Sequence, residues 1–189
     1  RAINRQQGMD SIGQWGQTPA YGWIPPTIAN YSPYQPAEAS WTQAQRETEA
    51  KKLYAEAGYG AGKPLNLDLL YNTSEGHKKI AVAIGDMWKK LLGVNVSLTN
   101  KEWKVYLSDR TAGNTQVFRA GWFGDYDDPN TFAEILYSQH GMNDVKYNNP
   151  AYDQLWQAAL REPDVAKRAS LLQQAEALMI ADQPIIPLY

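Results

Sequence analysis

The sequence predicts an α/β fold in which a largely parallel sheet is flanked by helices. Between residues 65 and 121, strand-like and helical segments alternate in the order β-α-β-α-β. This order requires right-handed crossovers and favours parallel strands. The first strand-like segment, 65–71, has closely spaced apolar residues, which is typical of a strand covered on both faces. A chain of 189 residues suits one domain or one large lobe.

The first forty residues have a different character. Residues 1–7 resemble the end of a helix, and the sequence does not begin with methionine, so we expect a fragment of a longer protein. Prolines interspersed with aromatic residues lie between 19 and 36, and they exclude both a helix and a central strand. We expect an extended surface wrap over 19–40, within a single lobe that comprises 1–189.

Helix and strand patterns then follow in regular order. Trp41 and Thr42 open a helix that reaches about Ala57, and Gly58 ends it. Apolar residues at helical spacing predict a longer helix over 75–92. The other segments of this region are strands at 65–71, 94–98 and 115–121 and a short helix at 102–110.

The remainder of the chain is predicted to be mainly helical. Asp128 as N-cap and Pro129 at the first helical position predict a helix over about 129–137. Asn149 and Pro150 begin another helix with an apolar face, and a further helix begins near Pro163. The last residues, 184–189, are strand-like, with prolines suited to an edge.

One stretch, 116–129, has the pattern of a strand that ends at a ligand-binding site. Its β-branched and aromatic residues give way to two glycines, three carboxylates and a proline. The carboxyl ends of parallel strands share one edge, where open α/β sheets bind ligands. His77 follows the first strand, Trp103 the second and Asp125 the third, so we expect these three residues to converge.

Composition excludes several classes of function. With 18 basic and 20 acidic residues, the net charge of −2 argues against a nucleic-acid partner. The absence of cysteine excludes disulfides, cysteine zinc sites and thiol catalysis. Apolar runs are shorter than the roughly 20 residues of a membrane span, and no signal-peptide region is present. Seven tryptophans and twelve tyrosines indicate a wide aromatic binding groove.

Several short motifs at matched spacing carry a resemblance to a known family. The chain resembles the periplasmic oligopeptide-binding proteins of bacterial peptide ABC importers, from about residue 19 to residue 189. The matching motifs are 69–74 (LLYNTS), 77–79 (HKK), 88–90 (WKK), 93–96 (GVNV), 102–104 (EWK), 119–122 (RAGW) and 125–126 (DY).

The resemblance implies a fold, a function and a location. The fold is a periplasmic-binding-protein type II lobe, here the C-terminal lobe of a two-lobed Venus-flytrap protein. The implied protein is a periplasmic monomer of a Gram-negative bacterium that binds short peptides and delivers them to a membrane permease. It is not an enzyme and has no cofactor, and its signal sequence lies outside this fragment. A narrower ligand, a murein tripeptide or a dipeptide, is the alternative.

The resemblance also implies roles for individual residues. The family's aspartate that pairs with the peptide's α-ammonium matches Asp125. The backbone run that adds the peptide as a strand matches Gly121, Trp122 and Phe123, and the walls of the side-chain pockets match Trp103 and Trp122. Cationic positions that meet the peptide's carboxylate match His77, Arg110 and Arg119.

Three positions depart from the family pattern. Phe123 stands where enteric members carry a cysteine that forms a disulfide. Gly13 falls near a lysine of the cationic set. Arg110 lies at the far end of its predicted helix, so a simple crossover places it at the edge of the sheet opposite Asp125.

The residues alone leave alternatives open. Asp125 could cap a turn instead of binding a ligand, and Asp127 and Asp128 have the character of caps. Arg119 within a strand needs a partner for its charge, either internal or on a ligand, and His77 could be a solvated surface residue. A rival function is a carbohydrate-active enzyme with a carboxylate pair in the acidic turn. The turn lacks the alternating pattern of a calcium loop.

Overall fold

The computed structural model describes residues 1–12 and 17–189, residues 11 and 12 by their backbone alone; Gly13 lies outside this part of the chain. The described residues form two compact units. The first unit comprises Arg1–Pro19, Ser40–Ala120 and Tyr189, and the second comprises Ala20–Ala39 and Gly121–Leu188.

The first unit contains a three-stranded parallel sheet with the order β2-β1-β3. Strand β1 (Asn66–Asn72) pairs along its whole length with β2 (Asn95–Lys101) and over two residues with β3 (Val117–Phe118). The central position of β1 explains why three of its residues, Leu69, Leu70 and Tyr71, are buried. The predicted α/β class with parallel strands is confirmed.

Helices connect and cover these strands. Helix α3 (Glu75–Leu92) has the predicted bounds, because Ser74 accepts a hydrogen bond from the His77 amide at its start and Gly93 adopts a left-handed conformation (φ 73°) at its end. The other helices of this unit are α1 (Arg5–Ile12), α2 (Gln43–Glu56) and α4 (Trp103–Ala112).

Several predicted bounds in this unit are wrong. The helix near the N-terminus begins only at Arg5, so residues 1–4 are not helical. The second strand begins at Asn95 and continues to Lys101, beyond the predicted end at residue 98. The third strand has two residues where seven were predicted, over 115–121.

The second unit is helical. Helix α5 (Asn130–Ala133) continues as a 3-10 helix (Glu134–Leu136), so the helix predicted over about 129–137 is confirmed to within one residue at each end, and its second half is a 3-10 helix. The N-cap of α5 is Pro129, while Asp128 accepts a hydrogen bond from the Asn130 amide. Helix α6 (Pro150–Arg161) begins after its N-cap Asn149, as predicted, and α7 (Val165–Asp182) begins after its N-cap Asp164, two residues beyond the predicted start near Pro163. Residues 184–189 form no strand.

A buried glutamate on α7 organises the second unit. The Glu176 side chain is 2% exposed and accepts four hydrogen bonds, from the amides of Trp23, Ile24 and Tyr34 and from the Tyr31 hydroxyl. Burial and the nearby carboxylate raise the pKa of Tyr31, so its hydroxyl stays a donor. The segment 20–36, which has no helix or strand, is thereby held against α7.

Gly22 is part of the same arrangement. A Cβ atom at this position would lie 2.8 Å from the Tyr34 carbonyl oxygen and 2.9 Å from a Glu176 carboxylate oxygen. Only glycine therefore permits the backbone to approach the carboxylate this closely.

None of the described helices has both the length and the apolar character needed to span a membrane.

Candidate functional site

Two residues predicted to bind ligand lie at the carboxyl edge of the sheet in the first unit. His77 lies in the first turn of α3, directly after β1, and Trp103 is the first residue of α4, directly after β2. Because β1 and β2 are parallel, both connections leave the same edge of the sheet. Arg119 immediately follows β3, which is also parallel to β1. Three of the predicted residues therefore follow the three strand ends of this unit.

His77 is half-buried, and its surroundings lower its pKa. Its backbone N–H donates to the Ser74 hydroxyl oxygen, and its Nδ1 lies 3.4 Å from the Asn72 carbonyl oxygen. Partial burial and the positive charge of Arg119 lower the pKa of His77 below its usual range. The imidazole thus lies in the electrostatic field of a second predicted cation.

Arg119 is a half-buried cation with a well-fixed backbone. Its N–H donates to the Leu70 carbonyl oxygen at 2.8 Å, and its carbonyl accepts a hydrogen bond from the Tyr106 hydroxyl. Within residues 1–12 and 17–189, its guanidinium has no acidic or hydrogen-bonding partner. A half-buried arginine without a counter-ion favours an anionic ligand over internal pairing.

Trp103 and Arg110 lie in the first and last turns of α4, and both contact the ring of Tyr106. The half-exposed Trp103 ring stacks on Tyr106, with centroids 5.6 Å apart and an interplanar angle of 23°. The Arg110 guanidinium lies over the rings of Tyr106 (5.4 Å) and Phe118 (5.7 Å). Arg110 is thus engaged by two aromatic faces in the last turn of α4, and its predicted ligand role stays a prediction.

In the second unit, residues 121–124 present an unpaired main chain. Within the described chain, their amide and carbonyl groups take part in no backbone hydrogen bond. Gly121 is exposed, and Phe123 is 93% exposed. Unpaired, accessible main chain is what an added peptide strand requires.

Asp125 ends this segment with a free carboxylate. Its backbone N–H donates to the hydroxyl of the fully buried Thr131 at 3.0 Å. The turn is tight at Gly124, where a Cβ atom would lie 3.0 Å from Thr131. The Asp125 side chain is exposed and caps or pairs with nothing in the described part of the chain. The backbone of Asp125 is therefore fixed while its carboxylate is available.

Trp122 is partly a core residue. Its ring packs against a hydrophobic cluster that contains Ile24, Tyr31 and Phe132. Its Nε1 is buried and has no hydrogen-bond partner among the described residues. The side chain anchors residues 121–124 to the second unit, while its role as a pocket wall stays a prediction.

The two other carboxylates of the acidic turn have structural partners. Asp127 accepts a hydrogen bond from the Ala29 amide at 2.9 Å. Asp128 binds both terminal nitrogens of Arg168, each at 2.7 Å. Burial opposes ionisation of Asp128, but hydrogen bonds from Arg168 and Asn130 outweigh it and lower the pKa of the carboxyl. Among the described residues, no cluster of three or more potential ligand side chains could hold a metal.

Sequence reasoning missed four residues that shape these regions. Arg168 and Glu176 are far in sequence from the groups they hold, and Thr131 shares no recognisable motif with Asp125, six residues earlier, so motif spacing gave no signal for these three. Tyr106 could have been found, because it lies three residues after Trp103 and four before Arg110, the spacings that place side chains on one helical face.

The comparisons with known proteins agree with this architecture. The periplasmic oligopeptide-binding protein OppA of Escherichia coli (strain K12) is 45% identical over 187 residues, which is 99% of this chain and 34% of that protein. The structure of the murein tripeptide binding protein MppA of Escherichia coli matches with a TM-score of 0.97 and 42% identity, over 100% of this chain and 37% of that one. The structure of Haemophilus influenzae OppA in complex with RPPGFSPFR matches with a TM-score of 0.94 and 38% identity, over 99% and 37% of the two chains.

The resemblance to periplasmic oligopeptide-binding proteins is thereby confirmed. The chain spans about a third of the length of these relatives. Residues 1–144 match the family described as bacterial extracellular solute-binding proteins, family 5, middle part. This chain therefore belongs to family 5 of the bacterial extracellular solute-binding proteins.

Proposed function

We propose that this chain is part of the solute-binding component of an ABC importer that captures short oligopeptides by their main chain and terminal charges. The observation that carries the proposal is the exposed, unpartnered Asp125 carboxylate directly after four residues of unpaired main chain, 121–124. The name of the relative OppA, an oligopeptide-binding protein, supports the same ligand class.

The main chain of 121–124 suits a ligand of variable sequence. Backbone pairing gives affinity that does not depend on the peptide's side chains. The exposed Phe123 ring and the half-exposed Trp103 ring offer broad apolar surfaces, which accept many side chains without selecting one.

Charged groups suit the two ends of a peptide. Asp125 would accept the α-ammonium group in a charge-assisted bond of about 1.5–3 kcal/mol. Arg119 and His77 would meet the carboxylate, because the guanidinium of Arg119 lacks a counter-ion in the described part of the chain and its planar fork matches both carboxylate oxygens.

The geometry favours binding over glycoside hydrolysis. A glycosidase needs two available carboxylates about 5–10 Å apart across the scissile bond. Asp128 is engaged by Arg168, and Asp127 holds the Ala29 amide, so the acidic turn offers Asp125 without a second available carboxylate. The relatives are also named as binding proteins.

The wider cellular role is part of the same proposal. The protein would act in the periplasm, where its relatives are named as residing, and would deliver its ligand as a monomer to a membrane permease. A murein tripeptide is a second candidate ligand, because MppA, a murein tripeptide binding protein, is 42% identical over the whole chain.

The central experiment compares peptides with free and N-acetylated amino termini by calorimetry on the full-length protein. Asp125→Asn is expected to weaken binding of free peptides by about 1–3 kcal/mol, and to change binding of acetylated peptides little. Asp127→Asn is the matched control, because asparagine retains an oxygen that can accept from the Ala29 amide.

Equal affinity of the wild-type protein for free and acetylated peptides would show that Asp125 does not bind the peptide's α-ammonium group. Competition between a murein tripeptide and mixed tri- to pentapeptides separates the two ligand classes. Mass spectrometry of small molecules released from the full-length protein as purified would identify the ligand directly.

A further inference from the structure

Tyr106 is a fully buried residue at the centre of the first unit's charged and aromatic groups. Its side chain is 0% exposed. The ring stacks against Trp103 and lies beneath the Arg110 guanidinium. The hydroxyl donates to the Arg119 carbonyl oxygen, and Arg110 Nη1 donates to that hydroxyl at 3.3 Å. One side chain thus contacts three of the residues predicted from the sequence to bind ligand.

The hydroxyl of Tyr106 also marks where β3 leaves the sheet. Parallel pairing of β1 with β3 stops at Leu70 and Phe118, although the Arg119 N–H still bonds to Leu70. A further pair, between Tyr71 and Arg119, would need the Arg119 carbonyl to accept from the amide of the next residue on β1. That carbonyl is bound by the Tyr106 hydroxyl instead. The ladder thus ends at Arg119, whose carbonyl is bound to Tyr106, just before the unpaired segment 121–124.

Packing alone does not account for a tyrosine here. Phenylalanine would fill the same volume and stack on Trp103 equally well. A buried hydroxyl costs free energy unless it is hydrogen-bonded. Compared with phenylalanine, the hydroxyl adds the hydrogen bond that fixes the backbone of Arg119 and accepts the bond from Arg110 Nη1.

We infer that Tyr106 is a positioning residue that fixes the Arg119 backbone and the Trp103 ring, and so orients the Arg119 guanidinium for the carboxylate of an incoming ligand. The inference rests on the proposed function, because it assigns Arg119 to an anionic group of the ligand. Tyr106 itself acts only through its neighbours.

Tyr106→Phe in the full-length protein tests the inference, with Tyr152→Phe as the matched control. Tyr152 is 1% exposed and donates its hydroxyl to the Ala133 carbonyl oxygen at 2.7 Å. Both variants therefore remove one buried phenol-to-carbonyl hydrogen bond, and Tyr106→Phe removes in addition the longer bond from Arg110 Nη1. Affinity is measured for a tripeptide and for its C-terminal amide, which lacks the carboxylate charge.

The wild-type protein is expected to prefer the free acid by roughly tenfold or more, the scale of one charge-assisted hydrogen bond. Tyr106→Phe should reduce that preference several-fold, whereas Tyr152→Phe should leave it unchanged. In an Arg119→Gln background, Tyr106→Phe should have no further effect on the preference, because the two residues act through one contact.

Two results would overturn the inference, and they differ. If the wild-type protein prefers the acid and Tyr106→Phe retains the full preference, the positioning role is wrong while the assignment of Arg119 to the carboxylate stands. If the wild-type protein binds acid and amide equally, the carboxylate assignment in the proposed function fails, and the role of Tyr106 fails with it.

Discussion

Replacing Glu176 by glutamine is expected to loosen segment 20–36 from α7 without changing the shape of the side chain. One carboxylate oxygen accepts from the amides of Trp23 and Ile24, and the other accepts from the Tyr31 hydroxyl and the Tyr34 amide. An amide group keeps one acceptor oxygen and replaces the other with a donor.

The orientation of the new amide decides which contact is lost. The Tyr31 hydroxyl can rotate and accept from the new N–H₂ group, but the Tyr34 amide can only donate. The less costly orientation therefore directs the N–H₂ group toward Tyr31 and Tyr34 and leaves the Tyr34 amide without an acceptor.

The magnitude follows from these contacts. An unsatisfied buried donor costs about 1–3 kcal/mol, and each bond that remains weakens because its acceptor is no longer charged. Removing a buried charge offsets part of this loss. We expect the free energy of local opening to fall by about 2–4 kcal/mol, which accelerates amide exchange by roughly 30- to 1,000-fold.

Hydrogen exchange of the Tyr34 amide in the full-length protein measures the effect. The control is Glu56→Gln, because Glu56 is exposed at the end of α2 and, among the described residues, forms only a long ion pair with Lys52, at 3.9 Å. If the Tyr34 amide exchanges at the wild-type rate in the Glu176 variant, the carboxylate does not hold this segment and the reasoning is wrong.

Two further predictions concern charged groups. The lowered pKa of His77 means that the free protein holds this imidazole neutral at pH 7, and a ligand carboxylate would raise that pKa. Binding of a peptide acid should therefore take up a proton and strengthen as the pH falls through the raised pKa of the bound state toward the lowered pKa of the free protein; calorimetry in buffers of different ionisation enthalpy measures the uptake, and persistence of the full uptake in a His77→Gln variant would refute the assignment. Arg168→Lys should destabilise the second unit by about 1–2 kcal/mol in urea unfolding, because lysine cannot bind both Asp128 oxygens. The lowered pKa of Asp128 means that its stabilising contribution is present above its unfolded pKa and is lost as the pH falls through its folded pKa, so the difference between wild type and Arg168→Lys should shrink in acid; an acid-independent difference would contradict this account.

Local signals in the sequence were sufficient for the long helices. The bounds of α3 match the prediction because Ser74 and Gly93 satisfy the helix ends through contacts with residues within one turn. The start of α6 was predicted for the same reason, since Asn149 caps the helix that Pro150 begins. The parallel sheet followed from the alternation of strands and helices.

The site could be predicted in part. The sequence located the acidic turn after the third strand and indicated caps at Asp127 and Asp128, but it could not identify the partners of these two carboxylates. Asp127 accepts a hydrogen bond from the amide of Ala29, 98 residues earlier, and Asp128 pairs with Arg168, 40 residues later. Which of the three carboxylates is free to bind a ligand therefore depends on the tertiary contacts of Asp127 and Asp128.

The sequence by itself determined the α/β class, the order of the elements and the family, because capping, periodicity and motif spacing are encoded within short stretches. Tertiary structure alone decided that β3 stops at Phe118, that Glu176 holds segment 20–36 and that Asp125 keeps a free carboxylate. The physical reason is that each of these outcomes depends on a hydrogen-bond donor or acceptor supplied from another part of the folded chain.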